Sequence, residues 1–242
     1  LLDYIDWQGP WWLYFDWLLV GIWLVMSMMI MAGADLKVDV WIIFVGFIGG
    51  LVIESWGTQT EIWWYYTAER PPLWIIPAWP IASLSIDRLV RFLRRGIQES
   101  SVETKPQPAK LVLPVHFPAW LFKALYWLVF PAFFVLMLAY VWPTLDKSFT
   151  ILSLILVAIL ILTPTDHRLA VLTFTSGSAL GYFLELWGTT RQCWTYYTLG
   201  TPPLFAVLAH GMAAVAFWRT VLVLQRFKPK VMPRNRKRST TG

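Results

Sequence analysis

Charged residues are scarce in this chain. They make up 14% of its 242 residues, where a soluble domain carries roughly a quarter. The apolar residues fall in long blocks, and that combination excludes an ordinary water-soluble globule. Cysteine is nearly absent. With Cys193 as its one cysteine, the chain has no disulfide framework of its own and no zinc site built on several thiolates. The three histidines, His116, His167 and His210, lack the spacing of metal ligands, so neither a metal nor a cofactor is expected. Phosphate-binding glycine loops, a nucleophile elbow and a dinucleotide fingerprint are all missing. Residues 1–10 hold Asp3 and Asp6 but no Lys or Arg, so no secretory leader is expected there. The net charge of +6 does not point to nucleic acid, because the basic residues flank apolar spans instead of gathering on a folded face.

What is present is helical and membrane-like. Seven spans are expected, at 11–33, 38–55, 73–95, 118–142, 147–163, 169–187 and 203–226, each near the length that crosses a bilayer. With the N-terminus outside and the C-terminus cytoplasmic, 17 Lys and Arg residues fall inside, and only Arg70, Lys147 and Arg191 fall outside. The positive-inside rule therefore favours a multi-pass protein of the cell (inner, cytoplasmic) membrane in that orientation. The expected organisation is a three-helix unit over 1–95, a cytoplasmic linker over 96–117, a linking helix over 118–142, a second three-helix unit over 143–227, and a basic flexible tail over 228–242. The linker is rich in Pro, Lys, Glu and Ser, with an interfacial stretch at LVLPV. The tail is too polar to build a core, and its expected partner is water or anionic lipid headgroups.

The strongest signal is an internal repeat. Residues 54–82 and 185–213 align without gaps at an offset of 131, with 13 of 29 positions identical. The matches include Glu54/Glu185, Trp56/Trp187, Gly57/Gly188, Thr58/Thr189, Trp63/Trp194, Tyr65/Tyr196, Tyr66/Tyr197 and both prolines of Pro71-Pro72 and Pro202-Pro203. Three helices reverse the chain's direction, and an unmatched fourth helix restores it. The reading is therefore an all-α, 3+1+3 parallel duplication, with both signature loops on the outer face and a ligand site between the halves.

Each copy opens with a carboxyl at the end of an apolar helix. Glu54 and Glu185 are the candidate catalytic residues, since a carboxyl at that depth must be paired or protonated. The alternative is that each Glu bonds its own loop and fixes the Trp-Gly-Thr corner. The glycines suit a turn or a helix C-cap, and the proline pairs suit the first turn of the next helix. Trp56, Trp63, Tyr65, Tyr66, Trp187, Trp194, Tyr196 and Tyr197 form either an interfacial aromatic belt or a trough that stacks on a flat, apolar or cationic ligand. His210, which aligns with Trp79, joins the ligand-binding candidates. Asp87 is placed to pair with Arg91 at i,i+4. Gly46, Gly49, Gly50, Gly177 and Gly181 permit close helix packing.

The pattern Glu54, Gly57, Thr60, Tyr65, Tyr66, Pro72, Pro77 and Pro80 resembles membrane carotenoid-biosynthesis proteins of the acyclic carotenoid 1,2-hydratase kind. The 3+1+3 plan is similar, more distantly, to integral-membrane lycopene cyclases. Glu61-Ile62-Trp63-Trp64 replaces the family's Gly/Phe segment, and the cyclases' Pro-x-Glu-Glu signature is absent. The resemblance implies an isoprenoid substrate and chemistry begun by protonating a terminal alkene. The competing expectation is a non-catalytic subunit of a larger membrane complex (respiratory, photosynthetic or oxygenase) that holds lipid, pigment or quinone. A transporter is a third reading with few polar residues to support it. A retinal protein is disfavoured, because residues 203–226 contain no Lys.

Overall fold

A computed structural model describes residues 16–99 and 115–227. The described chain is all-α in its bulk, with seven helices: α1 (Trp17–Ala32), α2 (Leu36–Gln59), α3 (Ala78–Gly96), α4 (Ala119–Val141), α5 (Ser148–Leu162), α6 (His167–Thr190) and α7 (Leu204–Arg226). Four helical segments are long and apolar enough to cross a membrane: Leu36–Gln59, Ala119–Thr144, His167–Thr190 and Leu204–Arg226. α1 and α5 have 16 and 15 residues. At 1.5 Å per residue they reach only about 24 and 22 Å, short of a hydrocarbon layer about 30 Å thick. Residues 11–15 of the expected first span, most of the linker (100–114) and the tail (228–242) lie outside the described residues.

Helix starts follow local chemistry. The side chains of Asp16, Asp35 and Asp166 accept from the amides of Leu19, Lys37 and Leu169 at 3.2, 3.1 and 2.9 Å, which satisfies donors that the first turns of α1, α2 and α6 leave free. α3 starts at Ala78, five residues later than its expected span, because Pro72 and Pro77 bracket a run of turns and a residue before proline is pushed out of the helical region. The proline pairs therefore serve differently in the two copies. Pro203 sits directly before α7, whereas Pro71-Pro72 precede α3 by a full turn segment.

Two short ladders were not expected. β1 (Trp63–Tyr65) pairs antiparallel with β4 (Trp194–Tyr196), and β2 (Ile97–Glu99) pairs in parallel with β3 (Val115–Phe117). The second ladder joins the two ends of the linker. The first places the loops after α2 and α6 at the same end of the bundle.

The main core runs from the β1/β4 ladder down α4, α6 and α7. Tyr126, Phe130, Phe133, Met137 and Val141 give α4 a buried face, and Tyr126 stacks on Phe130 at 4.3 Å. The α6–α7 contact is backbone-close. A Cβ at Gly177 would lie 2.8 Å from the His210 carbonyl oxygen and 2.9 Å from the Cα of Gly211. Outward faces stay apolar: Leu36, Val40, Phe44, Val52, Leu128, Val135, Ile155 and Leu162 are all exposed. A contiguous apolar surface of that kind suits lipid contact better than water.

At the end opposite the β1/β4 ladder, the structure holds an ion pair that the sequence does not advertise. Arg88 donates to Asp39 at 2.7 Å and to Asp87 at 2.5 Å, with the Arg88 and Asp39 side chains 5% and 9% exposed. Asp87 also pairs with Arg91 at 2.9 Å, as its spacing suggested. Arg88 is therefore an internal tie between α2 and α3, not a solvated anchor. Arg219, 131 residues later, instead donates to the carbonyls of Leu160, Thr163 and Pro164 at and just past the C-terminal end of α5. Arg88→Ala is expected to lower stability by about 3–5 kcal/mol through the uncompensated Asp39 charge. Arg91→Ala, at a half-exposed site, should cost under about 1 kcal/mol. Unfolding in detergent micelles measures both.

Candidate functional site

Glu54 lies near the C-terminal end of α2 and Glu185 near that of α6, with 4% and 3% of their surface exposed. Each carboxyl is ringed by donors from the chain that follows it. Glu54 accepts from Trp63 Nε1 at 3.1 Å, Tyr65 Oη at 2.8 Å and Trp79 Nε1 at 3.0 Å. Glu185 accepts from Trp194 Nε1 at 2.9 Å and Tyr196 Oη at 2.8 Å, and meets His210 Nε2 at 2.9 Å. In both copies the partners stand 9, 11 and 25 residues after the Glu. Three hydrogen bonds offset the cost of burying a carboxyl in such an apolar setting. Burial first, then the adjacent carboxyl, pushes the Tyr65 and Tyr196 phenols well above their ordinary range. Both therefore remain O–H donors.

The corner is built the same way each time. Thr58 and Thr189 donate to the carbonyls of Glu54 and Glu185 at 2.7 and 2.6 Å. Gly57 and Gly188 are still inside their helices, so they are not turn or cap residues as their position after Trp suggested. They are glycine because the corner's own indole lies across them: an added Cβ would come within 1.9 Å of Trp63 and 2.0 Å of Trp194. Glu61 and Gln192, and Ala68 and Leu199, hold left-handed backbone at φ 55–60°. Non-glycine residues adopt that conformation only where surrounding contacts enforce it.

Bonds between the corners are reciprocal. Trp63 pairs with Tyr196 and Tyr65 with Trp194 across the ladder. Tyr66 N donates to the Cys193 carbonyl at 3.2 Å, and Tyr197 N to the Ile62 carbonyl at 3.1 Å. Trp56 Nε1 donates to Thr150 of α5 at 3.2 Å, and Trp187 Nε1 to Asp16, ahead of α1, at 2.8 Å.

Both carboxyls face one cavity of about 760 Å³. Every helix contributes to its walls, from Met26 of α1 to Phe217 of α7, and Trp56, Trp63, Tyr65, Trp79, Trp187, Trp194, Tyr196 and His210 line it. No Lys or Arg does. Its rim includes Trp23, Phe44, Val52 and Leu156, which are themselves on the exposed apolar surface, so the opening faces sideways.

No family model, curated protein or solved structure matches this chain.

The structure thus brings together Glu54, Glu185, Trp56, Trp63, Tyr65, Trp187, Trp194, Tyr196 and His210. It does not bring in Tyr66 and Tyr197. Tyr66 is 71% exposed and packs on Trp74. Tyr197 is exposed and donates to the Tyr140 carbonyl. Both tyrosines stand just past the three-residue strands whose first and last residues reach the carboxyls. Sequence reasoning passed over Trp79, although its alignment with His210 was the available clue: both rings present an N–H-bearing edge 25 residues after a Glu. Among the described residues no cluster of His, Cys, Asp and Glu has the arrangement of a metal site. Gly57→Ala and Gly188→Ala should each drive an indole off its carboxyl and cost about 1–3 kcal/mol by overpacking. Thermal unfolding in micelles, with tryptophan fluorescence as the local probe, reads the loss.

Proposed function

We propose that this chain is an integral membrane protein of the cell membrane that holds a long, apolar, isoprenoid- or lipid-like molecule between its halves and acts on it by proton-initiated chemistry. The observation carrying this reading is the shared cavity: large, apolar, aromatic-walled, open sideways, and furnished with two carboxyls and no cation. A chain-like polyene would enter from the lipid, and only its end would meet polar groups. A carboxyl there is suited to protonating an alkene as general acid. The indole and phenol walls with the second carboxyl would stabilise the resulting cation. This is the chemistry expected of a carotenoid hydratase- or lycopene cyclase-like enzyme. In this reading the chain crosses the membrane seven times as a 3+1+3 parallel duplication. The reciprocal bonds between the corners and the pairing of β1 with β4 support it. The end with the β1/β4 ladder, with Arg70, Lys147 and Arg191, lies outside, and the Arg-rich end of α3 and α7 is cytoplasmic. No nucleic acid partner enters the proposal.

A second reading rests on a different observation. Each carboxyl is already saturated by three partners of its own copy. That suits a structural pin in a non-catalytic subunit that carries lipid, pigment or quinone within a larger membrane complex.

Nanodisc-embedded protein mixed with a linear polyene is expected to show induced circular dichroism in the polyene band, abolished by Ala213→Trp, which fills the cavity. Polyene conversion is expected to fall roughly 10²- to 10⁴-fold when the acting carboxyl becomes Gln. Unchanged conversion in both Glu54→Gln and Glu185→Gln would leave the carrier reading. No induced signal in the wild type would remove the ligand class.

A further inference from the structure

The two carboxyl clusters match in every partner except one. At the third position copy one has Trp79 and copy two has His210, and both rings occupy the same seat. Trp79 lies over Gly50 and His210 over Gly181, where any Cβ would collide with the ring. The two rings stack on each other with centroids 5.5 Å apart and planes 21° apart. An indole N–H only donates, whereas an imidazole nitrogen donates or accepts according to where its proton is. Around Glu54 two of the three partners are indole N–H groups, which donate but neither supply nor take up a proton. Between Glu185 Oε1 and His210 Nε2, 2.9 Å apart, one proton is accommodated on either atom without moving a heavy atom.

We infer that Glu185, coupled to His210, is the proton-exchanging acid of the cavity, while Glu54 is a fixed acceptor that stays out of proton transfer. The inference rests on the proton-initiated reading above and assigns its donor. The remaining titratable groups on the cavity are Glu54, Tyr65 and Tyr196. The wall residues from α1, α3, α4 and α5 add none. His210 is the more open member of the pair, at 18% side-chain exposure against 4% for Glu185, so protons reach Glu185 through it. In the chemical step the Glu185 O–H bond breaks and its electrons stay on the carboxylate. The alkene π pair forms the new C–H bond, and the neighbouring carbon becomes the cation. If a ring closes, a C–H proton returns to the Glu185–His210 pair. If water adds, the proton that the water sheds returns there. The balance needs no oxidant or reductant. His210 is a positioning and relay residue, and Glu185 is the catalytic one.

The test needs no ligand. Full-length protein in nanodiscs is titrated over roughly pH 5 to 8, the range where imidazole pairs exchange protons, and carboxyl protonation is followed by infrared difference spectroscopy. The wild type is expected to show one carboxyl step. That step should vanish in Glu185→Gln and in His210→Trp, which rebuilds copy one's arrangement, and persist in Glu54→Gln. Trp79→His should add a second step. His210→Gln, which keeps a hydrogen bond without titrating, should also abolish the step and serves if the Trp variant does not fold. A wild type without the step, a step lost in Glu54→Gln, a step surviving Glu185→Gln or His210→Gln, or a Trp79→His titration identical to wild type would each overturn the assignment. A protein that shows the step yet binds no polyene would refute the ligand class alone.

Discussion

A carboxyl group at the end of an apolar helix has to be supplied with hydrogen-bond donors by the chain that follows it, or it cannot stay buried. Glu54 and Glu185 impose that requirement here, and much of the local sequence answers to it. The helix must be followed by a turn tight enough to bring an indole back nine residues later. The position beneath that indole must be glycine. The next strand must alternate, so that Trp63 and Tyr65 reach the carboxyl while Trp64 between them faces out. Two left-handed residues per corner pin the path. Because so many positions serve one group, the stretch is the most similar segment of the two halves, while the helices leading into it share little beyond apolar character and the glycine pairs Gly46/Gly177 and Gly50/Gly181.

The corners also hold the halves together. An isolated three-residue strand has little stability of its own, and β1 becomes a strand by pairing with β4. The reach of Trp56 to α5 and of Trp187 to the residue before α1 repeats the exchange with side chains. Twofold reciprocity of this kind leaves a space between the corners that both halves must wall. In it, the single substitution of an imidazole for an indole separates two otherwise equal carboxyls.

How much of this was legible depended on the range of the interaction. Long apolar blocks gave α2, α4, α6 and α7 within a few residues, since burial in lipid needs only composition and length. Glu54, Glu185, Trp63 and Trp194 were legible because a gapless repeat marks positions under common constraint. Tyr66 and Tyr197 were placed with their neighbours because identity between copies does not say which way a side chain points; both lie just beyond the short strands. Asp39 and Arg88 were invisible as a pair. They stand 49 residues apart on different helices, and the repeat offered no hint because Ala170 stands where Asp39 has its counterpart. The glycines of both corners were legible as constrained but not as to cause, which is contact with a ring that only the folded loop brings back.

The account stands on the loops after α2 and α6 meeting at one end of the bundle. Dipolar electron-spin coupling between labels at Trp64→Cys and Thr195→Cys, in a Cys193→Ser background, measures this most directly. These positions are partners across the ladder, where backbones of paired strands lie about 5 Å apart. Strong short-range coupling in lipid nanodiscs is the predicted result. A separation of about 30 Å, the thickness of the hydrocarbon layer, would put the corners on opposite faces and contradict the shared cavity.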